Sequence, residues 1–134
     1  MAGMETTREG GLLAWQLRGY PKTHRSRRIL LVHAVTAPLF VLGTIGLVLA
    51  PLANMWLLAF ALPAMLIPVA LQGRAHRLEE AKPAPFLGAA DFAIRLFVEQ
   101  WVTFPRFVAS GDFSRLWREG APPSEAQAGP RGAL

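Results

Sequence analysis

Three histidines are the residues of this chain whose type and spacing could do chemistry. His24, His33 and His76 are its only histidines, and its 134 residues include no cysteine. Imidazole binds zinc, copper and iron, whereas thiolate and disulfide chemistry are excluded. His33 is the most informative of the three, because it lies in an apolar stretch where a histidine is costly unless it is paired or functional.

Carboxylates follow His76 at a spacing that suits metal binding. Glu79 and Glu80 stand three and four residues after it, so both can share its helix face. Two or three imidazoles with a carboxylate and open positions suit Fe(II) that also binds oxygen and substrate, and zinc accepts the same ligands. A reading without metal is also open. In it, His24 and His76 lie at lipid headgroups and His33 bonds a backbone carbonyl.

The elements that must position these histidines are two apolar helices. No Asp, Glu, Lys or Arg occurs between Ile29 and Gly73, and this length is about two crossings of a bilayer core at roughly 20 residues each. Pro51, Ala53 and Asn54 mark a turn near the middle. We therefore predict an all-α membrane protein with a two-span transmembrane hairpin, its spans at about 29–50 and 55–71. Such a hairpin returns its outer ends, and hence the three histidines, to one membrane face.

A soluble all-α domain would have to bury the same two helices. A chain of this length lacks the other surface needed to cover them. Proline adds a local expectation: Pro38 predicts a kink in the first span, and Pro63 with Pro68 predict an irregular second one. Gly43 and Gly46 permit close approach of a neighbouring helix.

The charge distribution predicts the topology. The formal net charge is +5, and nine basic residues flank the two spans whereas the central turn has none. They are Arg8, Arg18, Lys22, Arg25, Arg27, Arg28, Arg74, Arg77 and Lys82. The positive-inside pattern places both termini in the cytoplasm. No nucleic-acid-binding motif accompanies the charge, so we expect a lipid bilayer and no nucleic acid as partner. The Ala-, Arg-, Gly- and Pro-rich composition is typical of a GC-rich bacterial genome, and so indicates the inner membrane.

The remaining segments predict a single domain over residues 12–118. Residues 1–11 and 119–134 are expected to be a disordered N-terminus and tail. Trp15 and Tyr20 suit the membrane interface, and Gly19 to Pro21 suggests a bend. An amphipathic interfacial helix is predicted over about 88–110, followed by a short C-terminal helix capped by Asp112.

One stripe of the interfacial helix is charged. Asp91, Arg95 and Glu99 recur at intervals of four, which predicts favourable ion pairs along one helical face.

Several of these residues together resemble a known family. Tyr20-Pro-Lys-Thr-His24, then His33 nine residues later and Pro38 five residues after that, resembles the Mpo1-like (DUF962) family of small helical membrane proteins. The family's later pattern of a His, a Glu and then Pro-Ala is similar to the segment from His76 to Phe86. The resemblance covers roughly residues 12–118.

The resemblance implies an Fe(II)-dependent dioxygenase that shortens 2-hydroxy fatty acids by one carbon, an α-oxidation. It implies His24, His33 and His76 as iron ligands. Glu80 is the acidic partner when counted from His76, and Glu79 when counted back from Pro83. Arginines near the membrane surface would hold the substrate carboxylate; the candidates are Arg74, Arg77 and the Arg25–Arg28 cluster, including Arg28.

A non-enzymatic reading is the alternative to this oxygenase. The chain would then be a small integral membrane protein, such as a scaffold, subunit or lipid-binding element, with a degenerate histidine site. The two readings differ in geometry, because only the oxygenase requires the three imidazoles to converge. The sequence sets neither the oligomeric state nor the acyl-chain length of the substrate.

Overall fold

A computed structural model describes residues 8–120, and every regular element in that range is helical. The helices are α1 (Gly11–Thr23), α2 (Arg27–Leu49), α3 (Leu58–Arg77), α4 (Ala89–Val98), α5 (Phe104–Ala109) and α6 (Asp112–Glu119). A 3₁₀ turn at Met55–Leu57 precedes α3, and a π-helical segment at Glu99–Thr103 joins α4 to α5. Most of the predicted disordered N-terminus and tail lies outside the described residues.

Two helices dominate the fold, as predicted. Arg27–Leu49 and Met55–Arg77 are each long and apolar enough to cross a membrane. The Ser26 side chain caps α2 by accepting a hydrogen bond from the Ile29 amide, and Asn54 accepts from the Trp56 amide at the start of the second helical stretch. The second helix extends further than predicted, so His76 lies in its last turn rather than beyond its end.

Proline does not interrupt these helices. Pro63 and Pro68 both lie inside the continuous helix α3, and Pro38 lies inside α2. The prediction of an irregular second span was therefore wrong, as was the bend at Gly19 to Pro21, because α1 continues through Pro21 to Thr23. Packing along its length supports the continuity of α3, since its contact with α2 is the most extensive between any two described elements.

Glycine and alanine bring α2 and α3 close together. A Cβ atom at Gly43 would lie 2.8 Å from Met65 Cγ and 3.0 Å from the Ala61 carbonyl oxygen. At Gly46 it would lie 3.2 Å from Ala61 Cβ. Small side chains on both helices therefore set the distance between them, as in membrane helix pairs.

The packed core lies at the end of α2 that carries His33. Its buried members are Tyr20, Leu30, Ala37, Phe104, Phe107 and Leu116, so α1, α2, α5 and α6 all contribute. At the other end of α2 and α3, these are the only two helices that the described residues form. Both present large apolar side chains outward, among them Val35, Leu42 and Val48 on α2 and Phe60, Leu66 and Ile67 on α3.

The predicted interfacial helix has the expected extent but not the expected regularity. Its i,i+4 stripe is formed between Asp91 and Arg95, whose charged atoms are 3.6 Å apart, whereas Glu99 turns away into the π-helical segment. Asp112 was wrongly predicted as a cap. Gly111, with a φ of 88°, occupies the N-cap position before α6, and Asp112 instead pairs with Arg115 at 3.2 Å.

The close approach at Gly43 generates a stability prediction with a matched control. Gly43→Ala places a methyl group against the Ala61 carbonyl and Ala64, so we expect a loss of about 1–3 kcal/mol in the free energy of unfolding. Gly73→Ala, in the same helix pair, has no atom within 4 Å of the added carbon and should be neutral or stabilising. Thermal unfolding in detergent micelles measures both. Equal melting temperatures for the two variants would contradict the small-residue interface.

Candidate metal centre

His24 is held at the end of α1 by Tyr20, one turn earlier. Its Nδ1 lies 2.9 Å from the Tyr20 carbonyl oxygen. Its ring stacks on the Tyr20 ring with centroids 3.7 Å apart and planes within 12°. Only 3% of His24 is exposed. One face of the imidazole and one ring nitrogen are therefore fixed by the same tyrosine.

His33 is held in the same way inside α2. Its Nδ1 lies 2.9 Å from the Ile29 carbonyl oxygen, again one turn earlier, and the residue is fully buried. A carbonyl oxygen can only accept, so Nδ1 carries the proton in both histidines. In the neutral rings, each Nε2 is left with an unshared lone pair.

These two lone pairs meet a carboxylate. His24 Nε2 and His33 Nε2 are 3.3 Å apart, and Glu99 Oε1 lies 3.1 Å from the nitrogen of His33 and 3.7 Å from that of His24. All three atoms are acceptors, and although the Tyr20 hydroxyl donates to Glu99 Oε1, burying the two imidazole lone pairs against it without a further donor is unfavourable. A single proton forms one good hydrogen bond among them, whereas a divalent cation can be bound by all of them at once.

His76 completes the group from the last turn of α3. Its ring centroid lies 4.9 Å from that of His24 and 5.3 Å from that of His33. Its Nδ1 is buried and has no hydrogen-bond partner among the residues that the structure describes, as expected of a nitrogen that serves as a ligand. Each of the four residues offers a ligand atom within 4.8 Å of the others, so the group could hold a metal ion. The convergence of the three histidines that the oxygenase requires is thus present.

Glu99 reaches the histidines from the π-helical segment. The wider π turn lets two successive side chains face the packed helices: Glu99 the histidines, and Gln100 the buried amide of Gln72, with which it exchanges hydrogen bonds of 2.8 and 3.0 Å. Gln72 also donates to Thr36 Oγ1. Isolated π turns recur at functional sites because they redirect a side chain in this way.

The environment sets the protonation states that a metal requires. Burial opposes ionisation of Glu99, but a proton on Nε2 of His24 or His33 donates to the carboxylate and attracts it, and this outweighs burial and holds the pKa of the carboxyl well below its usual range. Burial lowers the pKa of His24, despite the opposing contact with Glu99. Both groups are therefore in the forms that bind metal near neutral pH.

Tyr20 supports the carboxylate as well as the histidine. Its hydroxyl donates to Glu99 Oε1 at 3.1 Å, and burial, then the charge of Glu99, raise the pKa of the phenol well above its usual value. The hydroxyl thus stays protonated as a donor. Such supporting hydrogen bonds orient metal ligands. The prediction of Tyr20 as an interfacial residue was wrong, because only 4% of it is exposed.

The acidic residues chosen from the sequence are placed elsewhere. Glu79 is buried and accepts a hydrogen bond from the Ser26 hydroxyl, and Glu80 is exposed. Neither belongs to the group that offers ligand atoms, where Glu99 stands instead. A regular helix through residue 99 would have continued the charged stripe, so the interval of four indicated ion pairs rather than a ligand. The only signal for Glu99 was a carboxylate in a strongly apolar run.

A small pocket opens beside the metal group. Its volume is about 120 Å³, and His24, His76 and Glu99 contribute to its wall. The rest of the wall is mainly aromatic and apolar, but includes the polar side chains of Gln16 and Arg95. Arg28, Arg74 and Arg77 are exposed and do not line this pocket.

Comparison with protein-family models, with curated proteins and with solved structures finds no match to this chain. The Mpo1-like resemblance therefore stays a prediction, and the functional argument depends on the geometry of the site.

The geometry predicts which carboxylate matters for metal binding. Glu99→Gln removes the anionic ligand, and we expect metal affinity to fall by at least about 10-fold, the lower end of what even a supporting partner contributes. Glu80→Gln is the matched control, because Glu80 is exposed. Competition titration of each purified variant with Zn²⁺ and a chromophoric chelator measures the affinity. Loss of affinity in Glu80→Gln, with Glu99→Gln unaffected, would restore the sequence-based assignment.

Proposed function

We propose that this chain is an integral membrane metalloprotein whose His24, His33, His76 and Glu99 bind Fe(II), and that it is an oxygenase acting on 2-hydroxy fatty acids or a related lipid. The observation that carries the proposal is the meeting of two imidazole lone pairs and a carboxylate oxygen within 3.1–3.7 Å, where the Tyr20 hydroxyl on Glu99 is the one donor that residues 8–120 supply. A scaffold with a degenerate site would bury the two imidazole acceptors at a cost of about 1–3 kcal/mol for each unsatisfied group.

The exposure of the apolar helices supports insertion in a bilayer. Only 44% of the apolar window of α2 and 22% of that of α3 is buried. The core helix of a soluble protein would bury most of that surface. A hydrocarbon surrounding accounts for the outward leucine, valine and isoleucine side chains without a partner protein. We place the turn between α2 and α3 outside the bacterial inner membrane and both termini in the cytoplasm.

Iron is the metal that both suits this ligand set and can take part in a redox reaction. Imidazole and carboxylate ligands that leave coordination positions open are those of non-haem Fe(II) oxygenases, although Zn²⁺ also binds them. When bound, Fe(II) would supply activation of dioxygen beside the substrate. The protein's part is to hold the three neutral imidazoles and the Glu99 carboxylate in place through Tyr20 and the backbone carbonyls.

The pocket supports a lipid with a polar head. Its polar wall is next to the metal ligands, and its apolar wall includes Phe86, Phe92 and Leu96. Phe86 and Phe92 are partly exposed on the outer surface, so an acyl chain could leave the pocket between them toward lipid. A volume near 120 Å³ suits the head of such a substrate rather than its whole chain.

Metal content and turnover test the oxygenase directly. Protein purified anaerobically in micelles should contain about one iron per chain, and a long-chain 2-hydroxy acid should elicit oxygen uptake with release of CO₂ and an acid one carbon shorter. His76→Ala should lose both, because it removes one of the ligands. A folded wild-type protein that binds no iron when supplied with it, and consumes no oxygen, would contradict the proposal.

The absence of cysteine makes membrane topology directly testable. A single cysteine replaces Ala53 in the turn between α2 and α3, or the exposed Arg106 in α5. In intact cells an impermeant maleimide should label Ala53→Cys only, and Arg106→Cys should react only after permeabilisation. Labelling of both variants in intact cells, or of neither variant until the cells are permeabilised, would contradict the proposed orientation.

A further inference from the structure

Arg95 is a buried cation with a free donor. Only 7% of it is exposed. Its Nη1 donates to the Pro85 carbonyl at 3.1 Å and its Nη2 to the Ala84 carbonyl at 3.0 Å. Its Nε is buried and has no hydrogen-bond partner among residues 8–120. A buried N–H of a charged group without an acceptor is costly, so an oxygen atom brought to Nε would be bound favourably.

The charge of Arg95 is only partly neutralised. Asp91 is its nearest carboxylate, at 3.6 Å, but Arg8 engages that carboxylate through two hydrogen bonds of 2.6 and 2.9 Å. Two cations therefore share one anion. Glu99, the other nearby carboxylate, is engaged by His24, His33 and Tyr20. The wall at Arg95 thus favours a ligand with a negative charge.

Gln16 supplies a free acceptor on the same wall. Its Nε2 donates to the Arg95 carbonyl oxygen at 3.0 Å, which fixes the orientation of the amide because that carbonyl can only accept. Its Oε1 is buried, and no donor in the described part of the chain reaches it. Both Gln16 and Arg95 line the pocket that His24, His76 and Glu99 also line.

Aromatic rings complete the surroundings of these two groups. The Arg95 guanidinium carbon lies 4.3 Å from the centre of the Phe86 ring and 5.0 Å from that of the Trp15 ring. Both rings line the pocket. They stabilise the cation and keep water from it, while presenting an apolar surface to a ligand.

From these contacts we propose that Arg95 and Gln16 form a head-group subsite. It takes an amphiphile whose head carries an anionic oxygen next to a hydroxyl, as a long-chain 2-hydroxy carboxylic acid does. Arg95 Nε–H donates to the carboxylate, and Gln16 Oε1 accepts from the hydroxyl. The inference rests on the proposed function, since it names what the pocket beside the metal recognises, and it assigns the carboxylate to Arg95 rather than to the exposed Arg28, Arg74 and Arg77.

The subsite makes separate predictions for the binding of the carboxylate and for the preference for a 2-hydroxyl group, and one experiment can measure both. The probes are a long-chain 2-hydroxy acid and the unsubstituted acid of the same length, added to the full chain in micelles with Zn²⁺ bound, because Zn²⁺ is redox-inert and consumes no ligand. The readout is the ligand concentration that gives a half-maximal rise in melting temperature. Partition of the probes into micelles is the same for every variant, so differences between variants report on the protein.

Each variant has a distinct expected result. Arg95→Lys keeps a charge but removes Nε–H, and should weaken the binding of both acids about 10-fold. Gln16→Met removes the acceptor at similar volume, and should weaken the binding of the 2-hydroxy acid alone. The protein's preference for that acid over the unsubstituted acid should fall about 10-fold. The double variant Arg74→Gln, Arg77→Gln is the matched control and should bind both acids as the wild type does.

A purely structural role would give a different pattern. If Arg95 only clamps the 84–85 carbonyls and Gln16 only the Arg95 carbonyl, their variants lower the ligand-free melting temperature without changing the affinity for either acid or the ratio of the two affinities. Zinc content and the ligand-free melting temperature are recorded for every variant. Gln16→Glu, which retains an oxygen and adds a repelling charge, should weaken both acids and provides a second variant should Gln16→Met not fold.

Failure of the subsite is distinguishable from failure of the metal proposal. Unchanged affinities and an unchanged ratio in Arg95→Lys and in the Gln16 variants overturn the subsite, as does loss of binding in the Arg74, Arg77 double variant alone. A wild-type chain that binds no Zn²⁺ overturns the metal proposal instead. The same titrations on the metal-free chain then still decide whether Arg95 and Gln16 bind the acid.

Discussion

Two hydrogen bonds from imidazole to backbone set the rest of the site. His24 and His33 each donate from Nδ1 to the carbonyl one turn earlier, both at 2.9 Å, and this leaves both Nε2 lone pairs aimed at Glu99 in a buried space. The Tyr20 hydroxyl satisfies only Glu99, and neutral imidazole acceptors and a carboxylate cannot satisfy one another. The fold therefore contains a place that is more favourable when a proton or a metal cation occupies it, and His76, Tyr20 and the pocket are arranged around that place.

The described helices form two halves: one half contains only α2 and α3, and in the other half further helices pack against them. In one half, α2 and α3 pack through Gly43, Gly46 and small alanines and present apolar side chains outward. In the other half, α1 and the segment from α4 to α6 surround the start of α2 and the end of α3. Polar contacts buried between the helices, such as Gln72 with Gln100, fix how the halves join, because an unpaired amide in that setting would be costly. The candidate metal group therefore lies at one end of the two apolar helices.

The long-range apolar pattern could be predicted from the sequence, and the local geometry of the ligands could not. An uncharged run of this length requires two helices, and their return brings His24, His33 and His76 to one end. Glu99 was missed as a ligand because its direction depends on the π turn at Glu99–Thr103. A π turn rotates the following side chains relative to a regular α-helix. The interval of four residues from Asp91 to Arg95 and Glu99 gives no sign of that rotation. Glu79 stands at a suitable spacing from His76, but its carboxylate instead accepts a hydrogen bond from the Ser26 hydroxyl. Arg95 belonged to the same stripe and is buried rather than solvated, because Ala84 and Pro85 carbonyls and two aromatic rings surround it.

The central claim is that three imidazoles and one carboxylate share a metal ion. X-ray absorption at the zinc edge of the Zn²⁺-loaded chain tests it most directly. The claim predicts a first shell of nitrogen and oxygen near 2.0–2.1 Å, with the multiple-scattering signature of about three imidazole rings. A first shell of oxygen alone, or imidazole scattering from at most one ring, would contradict it.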